Sequence, residues 1–267
     1  MAKLGFLAAK AGVKDNAERL MRDLMARAGG IDAIAQPLFR KGDGTRRNAK
    51  MDSYALTAWC TFVLAKANQA KPKKKYRKGT ITPKFLREVA QLSTREDGPK
   101  RAQEFLAEHG IVLVVAQHLS NTYLDGAAML MNDGTPVIGM TLRYDRLDNF
   151  WFCLLHELAH IARHMEGKGE RLFVDDLDLS AKSDDPREKE ADEWANDALV
   201  PPHDWDDHPA QDLPTVGNVI ALAQRVNVHP AIVAGRIRRK LADYRKLTQL
   251  VGAGEVRKHF PGEWGAK

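Results

Sequence analysis

The segment His156-Glu-Leu-Ala-His160 constrains this chain more than any other, because two histidines four residues apart on a helix project from one face. The surrounding apolar residues Phe150, Trp151, Leu154, Leu155, Leu158 and Ile161 recur at helical spacing, which predicts a helix from near Asp148, its expected N-cap, to about Met165. On that helix His156 and His160 can take adjacent corners of one tetrahedral Zn²⁺. Glu157 falls about 100° round from them, close to such an ion without being easily bound to it. That position suits a general base, which takes a proton from a water attacking a peptide carbonyl and passes it to the leaving amine.

A hydrolytic site of this kind needs a third protein ligand and an open corner. A second helix is expected from residue 186, with Asp185 as cap and Pro186 at its first position, until Pro201-Pro202 stops it. Glu188, at its start, is the expected third ligand. Asp192, one turn later, is placed to accept the outer N–H of a ligand histidine. Glu190 points about 200° away from Glu188 and Glu193 roughly 140°, so both read as surface carboxylates. His164 continues the histidine stripe, but ligands at i, i+4 and i+8 span about 12 Å, too far for one ion.

The rest of the chain reads as an α+β fold: a helical N-terminal region, then a small antiparallel sheet packed on helices, with a zincin-like active-site helix. Helices are predicted over residues 16–28, 53–67, 82–91 and 100–109. Strands are predicted over 111–116, 127–131 and 136–142, the last two joined by the turn signal Asn132-Asp-Gly134. The basic run from Lys71 to Lys78 suggests a division into an N-terminal helical region (1–70), a basic linker (71–80), a zinc-peptidase core (81–202) and a C-terminal helical extension (203–267).

Charge divides the chain too. Residues 1–110 carry 23 Lys+Arg against 11 Asp+Glu, and the remainder 18 against 24. A basic half permits contact with nucleic acid or an acidic partner, although such runs are more often solvated surface. No apolar run approaches the ~18 residues of a membrane span, so a cytoplasmic protein is expected. Cys60 and Cys153, without paired spacing, read as buried thiols. Phe150, Trp151 and Phe152 read as core, and histidines 109, 118, 203, 208, 229 and 259 have no ligand spacing.

Taken together, His156-Glu-Leu-Ala-His160, Glu188-x-x-Ala-Asp192-x-Trp194-Ala and Leu199-Val-Pro resemble the ImmA/IrrE metallopeptidases, with departures at Asp192 (usually Asn), Trp194 (usually Phe) and Ala198 (usually Leu). Leu38-Phe-Arg-Lys41, Tyr54 to Trp59, Leu142-Arg-Tyr144, Phe150-Trp-Phe152 and Val228 to Arg236 extend the similarity to the peptidase-like half of HigA-type helix-turn-helix regulators. The resemblance implies one Zn²⁺ ion and an endopeptidase that cuts a partner helix-turn-helix repressor to relieve repression, under stress or in a mobile element or toxin-antitoxin setting. The alternative is a non-proteolytic, DNA-associated or antitoxin-like regulator that uses the zinc fold as a scaffold. For it, residues 222–237 have helix-turn-helix spacing, and Arg236, Arg238, Arg239 and Lys240 are its candidate phosphate contacts. The resemblance makes the same stretch a closing helical pair of the peptidase domain.

Overall fold

The computed structural model of the chain describes residues 16–30, 52–70, 72, 74–167, 171–175 and 185–263. The Leu38–Lys41 motif lies outside them. A four-stranded sheet sits at the centre, built from β1 (Val112–Val115), β2 (Gly126–Leu130), β3 (Pro136–Met140) and β4 (Leu172–Asp175) in the order β1-β3-β2-β4. The expected hairpin is present: β2 and β3 run antiparallel, with Gly126 opposite Met140, and Gly134 supplies the turn's positive φ of 83°.

Two expectations about the sheet are corrected. It is mixed and not purely antiparallel, because β1 pairs parallel to β3, with Val112 opposite Val137. The chain crosses from β1 to the far side of β3 through residues 116–125, so β1's neighbour in the sheet is not its neighbour in sequence. Strand β4, antiparallel to β2, is a fourth strand beyond the three that the sequence predicts. Its four residues, with Leu172, Phe173 and Val174 apolar in succession, give too short a pattern to register.

The apolar run at β1 has no polar alternation because both faces of the sheet are covered. Val112, Val114, Ala127, Met129, Val137 and Val174 meet helices α1 (Ala17–Arg27) and α2 (Ser53–Gln69) on one side. Leu113, Val115, Ala128, Ile138, Met140 and Phe173 meet the other side's core, which contains helices α3 (Pro83–Gln91), α4 (Gly98–Glu108) and α5 (Leu147–His160). Asp52 caps α2 by accepting from the N–H groups of Tyr54 and Ala55. Trp59 of α2 lies directly over Gly139 of β3, where a Cβ would come within 2.6 Å of its ring, and its Nε1 donates to the Gln117 carbonyl at 3.1 Å.

Residues 74–80 lie on this body. The Tyr76 hydroxyl donates to Glu166, the Gly79 N–H donates to the same carboxylate at 3.0 Å, and Gly110 meets the backbone of Lys75 and Tyr76 at a φ of 79°. Beyond α6 (Pro186–Leu199) and the short α7 (Pro202–Asp206), helices α8 (Val216–Arg225) and α9 (Pro230–Lys240) form a closing pair. Helix α9 packs on the start of α5 at Gly235, where a Cβ would fall 2.7 Å from that of Asp148. Among the described residues, no helix is long and apolar enough to cross a membrane.

Because Trp59 is fully buried between α2 and the sheet, Trp59→Ala should cost about 3–5 kcal/mol of stability. Urea unfolding monitored by circular dichroism measures this; a loss below about 1 kcal/mol would mean that α2 is not integral to the core.

Candidate metal centre

Apart from Glu157, which lies against Gly126 of β2, helix α5 buries apolar side chains in the core beneath the sheet, and His156 and His160 lie against α6. Asp185 caps α6 by accepting the Arg187 N–H, and the Arg187 guanidinium holds the Asp185 carboxyl below its usual pKa. That cap fixes the first turn and brings Glu188 over the histidines. His156 Nε2 and His160 Nε2 are 2.9 Å apart; Glu188 Oε2 is 3.4 Å from the first and Glu188 Oε1 is 3.6 Å from the second. All three side chains are fully buried.

This triangle fits a zinc ion. Bonds of about 2.0–2.1 Å at tetrahedral angles place ligand atoms roughly 3.3 Å apart, within the range spanned by these three contacts. Two neutral imidazoles and a carboxylate are also the donor set that leaves one corner open. His156, His160 and Glu188 can therefore hold a metal ion, and they form such a group among the described residues. Glu157 stands outside the triangle, fully buried. Its carboxylate lies against Gly126 at the start of β2, where a Cβ would collide with Glu157 and come within 2.6 Å of Cys153 Sγ. Only a residue without a side chain fits there.

Each histidine is held from behind. His156 Nδ1 is 2.9 Å from Asp192 Oδ1, the position expected for Asp192, and Arg239 of α9 donates to Asp192 Oδ2 at 3.0 Å. The Arg239 guanidinium stacks 4.3 Å from the Phe152 ring. His160 Nδ1 is 3.0 Å from His164 Nδ1, and His164 Nε2 is 2.9 Å from Glu190 Oε2. One tautomer assignment satisfies both contacts: His160 donates Nδ1–H to His164, and His164 donates Nε2–H to Glu190. His160 also stacks on Phe173 of β4, with ring centroids 4.5 Å apart.

His164 is thus no member of the triangle, as expected, and Glu190, its side chain still 34% exposed, is more than a plain surface carboxylate because it accepts from His164 and Arg163. Desolvation disfavours its charge, yet hydrogen bonds from His164 and Arg163 hold its pKa below the usual value. The helix widens into a π turn over Ile161–Met165, directly after His160, which changes where His164 points. Glu193 is exposed. Arg163, Gly126 and Phe173 carry no mark in the local sequence pattern, and Arg239, read there as a candidate phosphate contact, instead pairs with Asp192.

The arginines of α9 face inward. Arg238 is buried against Asp148 at 3.3 Å, Arg236 donates to the Asn196 and Val200 carbonyls, and Arg239 holds Asp192. Arg238 and Arg239 are thus held by carboxylates, which takes two of the four cations from the helix-turn-helix reading. Two of the stray histidines serve local ends: His229 and His208 each accept from a backbone N–H at a helix start.

A mixed sheet covered by helices, with a two-histidine, one-carboxylate group on facing helices, defines a metallopeptidase-like α+β protein. The family model for the IrrE N-terminal-like domain, Peptidase M78, matches residues 101–238, just over half of the chain. The chain belongs to this metallopeptidase family. No curated protein matches it.

Removing either rear support should loosen the metal without unfolding the chain. For Asp192→Ala and for His164→Ala, zinc affinity should fall about 10- to 100-fold in a chelator competition assay. His164→Asn, which keeps an acceptor near His160 Nδ1, should recover part of the loss. Unchanged affinity in both alanine variants would show that the outer contacts do not support the ligands.

Proposed function

We propose that the chain is a zinc-dependent endopeptidase that cleaves a partner helix-turn-helix repressor. The observation that carries this reading is the buried triangle of His156, His160 and Glu188 beside a buried Glu157 on the same helix, in a chain of a metallopeptidase family. One zinc ion, held by those three residues, would supply Lewis acidity that lowers the pKa of water and polarises a scissile carbonyl. Asp192 Oδ1 lies 2.9 Å from His156 Nδ1, close enough to favour the proton on that nitrogen and so leave Nε2 for the triangle. His164 does the same for His160. Glu157 takes the proton of the attacking water on its carboxylate and returns it to the leaving amine. Gly126 sets how closely that carboxylate approaches the sheet.

The repressor as substrate rests on the likeness of the sequence to ImmA/IrrE peptidases and HigA-type regulators, and relief of repression under stress or in a mobile element would follow. The non-proteolytic alternative is disfavoured by the inward arginines of α9. Direct nucleic-acid binding would then fall to the basic N-terminal half, and it should show a steep loss of affinity with salt.

Incubation of the purified, zinc-loaded protein with the helix-turn-helix repressor encoded beside it should yield one or a few discrete fragments by mass spectrometry. Glu157→Gln should retain zinc and lose cleavage by at least about 100-fold, the scale of a general base. His156→Ala and Glu188→Ala should lose the zinc itself. An intact repressor with the wild-type protein would remove the proteolytic reading, and full zinc content in Glu188→Ala would remove the third ligand.

A further inference from the structure

Three arginines converge on one cavity that the proposed chemistry does not use. It lies between the start of α5, the end of α6 and α9, and has a volume of about 330 Å³. Arg146, Arg236 and Arg239 line it, and Asp148 is the carboxylate among its lining residues. Asp148 is already shared: Arg146 Nε donates to it at 2.9 Å and Arg238 Nη1 reaches it at 3.3 Å. Arg239 is occupied by Asp192.

Arg236 is different. Its hydrogen bonds run from Nη1 alone, to the carbonyls of Asn196 and Val200 at 3.2 and 2.7 Å, and among the described residues it makes no carboxylate ion pair. Nε and Nη2 carry no hydrogen bond among the described residues, and the half-buried side chain lines the cavity. The guanidinium carbon lies 4.2 Å from the centre of the Trp205 ring, and that contact together with the two carbonyl bonds holds the side chain in place before anything binds. Asp197 and Asp206 act on it by charge, but both are exposed and screened by water. A preorganised fork of this kind matches a carboxylate. The other walls mix the polar side chains Asn149 and Asn196 with an apolar portion made by Phe152, Ile232, Leu199 and the ring of Tyr244.

We propose that this cavity is a binding site for a metabolite-sized organic acid, with the carboxylate on Arg236 and Arg146 and an aromatic or branched apolar body against Phe152 and Ile232. Its volume lies at the small end of ligand pockets, which suits a free small molecule better than a length of polypeptide. The site lies one hydrogen-bonded pair from the metal centre, since Arg239 both lines the cavity and holds the Asp192 that touches His156. Ligand binding is independent of whether the chain cleaves a repressor.

Isothermal titration of the full-length, zinc-loaded protein with 3-phenylpropionate tests this, with 3-phenylpropionamide and inorganic phosphate as comparisons. The carboxylate should bind saturably at one site, at least about tenfold more tightly than the amide, which keeps the body and lacks the charge. Arg236→Met should weaken it about tenfold or more while zinc content stays at the wild-type level. Asn149→Trp, at a half-buried position on the cavity wall, should block it without touching an arginine. No saturable heat from the carboxylate up to about 10 mM, a scale weaker than ordinary metabolite affinity, would overturn the proposal. So would equal binding of the amide, phosphate binding as tightly as the carboxylate, or undiminished affinity in both variants.

Discussion

The contact between α5 and α6 is what the rest of the molecule is arranged around, because it buries an ionisable carboxylate, Glu188, against two imidazoles with essentially no exposure. Moving a carboxylate out of water is costly, by several kcal/mol even after relaxation, and neutral imidazoles return little of it. A divalent cation at the centre of the triangle would return it. The polar content of this interface thus makes sense as a ligand set, and makes little as a device for stability alone. Metal affinity and the closing of α6 on α5 then become two descriptions of one free energy.

Around that interface the supports differ on the two sides. His156 is backed by a carboxylate, Asp192, itself gripped by Arg239, whereas His160 is backed by a neutral ring, His164, with the carboxylate Glu190 and Arg163 one step further out. Each chain ends in a guanidinium lying over an aromatic ring, Arg239 on Phe152 and Arg163 on Trp194. A planar cation can stack and still donate in its own plane, which an ammonium cannot do. Trp194, where a Phe is usual in the ImmA/IrrE motif, offers the stronger face for such stacking. Helix α9 is therefore a brace for the site, which accounts for why its arginines turn inward.

The helix that carries His156 and His160, the cap at Asp185-Pro186, the hairpin at Asn132-Asp-Gly134 and the position of Asp192 were legible because each is a local rule: a period, a cap, a turn or one helical step. What was not legible depends on pairing across the chain. The parallel partner of β1 is chosen by the crossing of residues 116–125, and β4 exists because β2 offers it an edge. Helical projection sent Glu190 to solvent because it treats a helix as though its neighbours were water; His164, displaced by a π turn, arrives from another helix to meet it. Gly126 carries no local signal at all.

Gly126 also joins the sheet to the chemistry in a way that the site residues alone do not reveal. It belongs to the face of β2 that carries Ala128, the face turned to α5, while Ala127 belongs to the opposite face with α1 and α2. Strand side chains alternate strictly, so a slip of one residue in β2 would exchange the two sets and set a methyl or a larger group where the Glu157 carboxylate now lies. The register that buries valines and methionines under α2 is the register that leaves room for the proposed base. Correct packing of the distant helical face and correct placement of Glu157 are consequently the same structural event, and a sequence change under α2 that shifted β2 would be felt first at the metal centre.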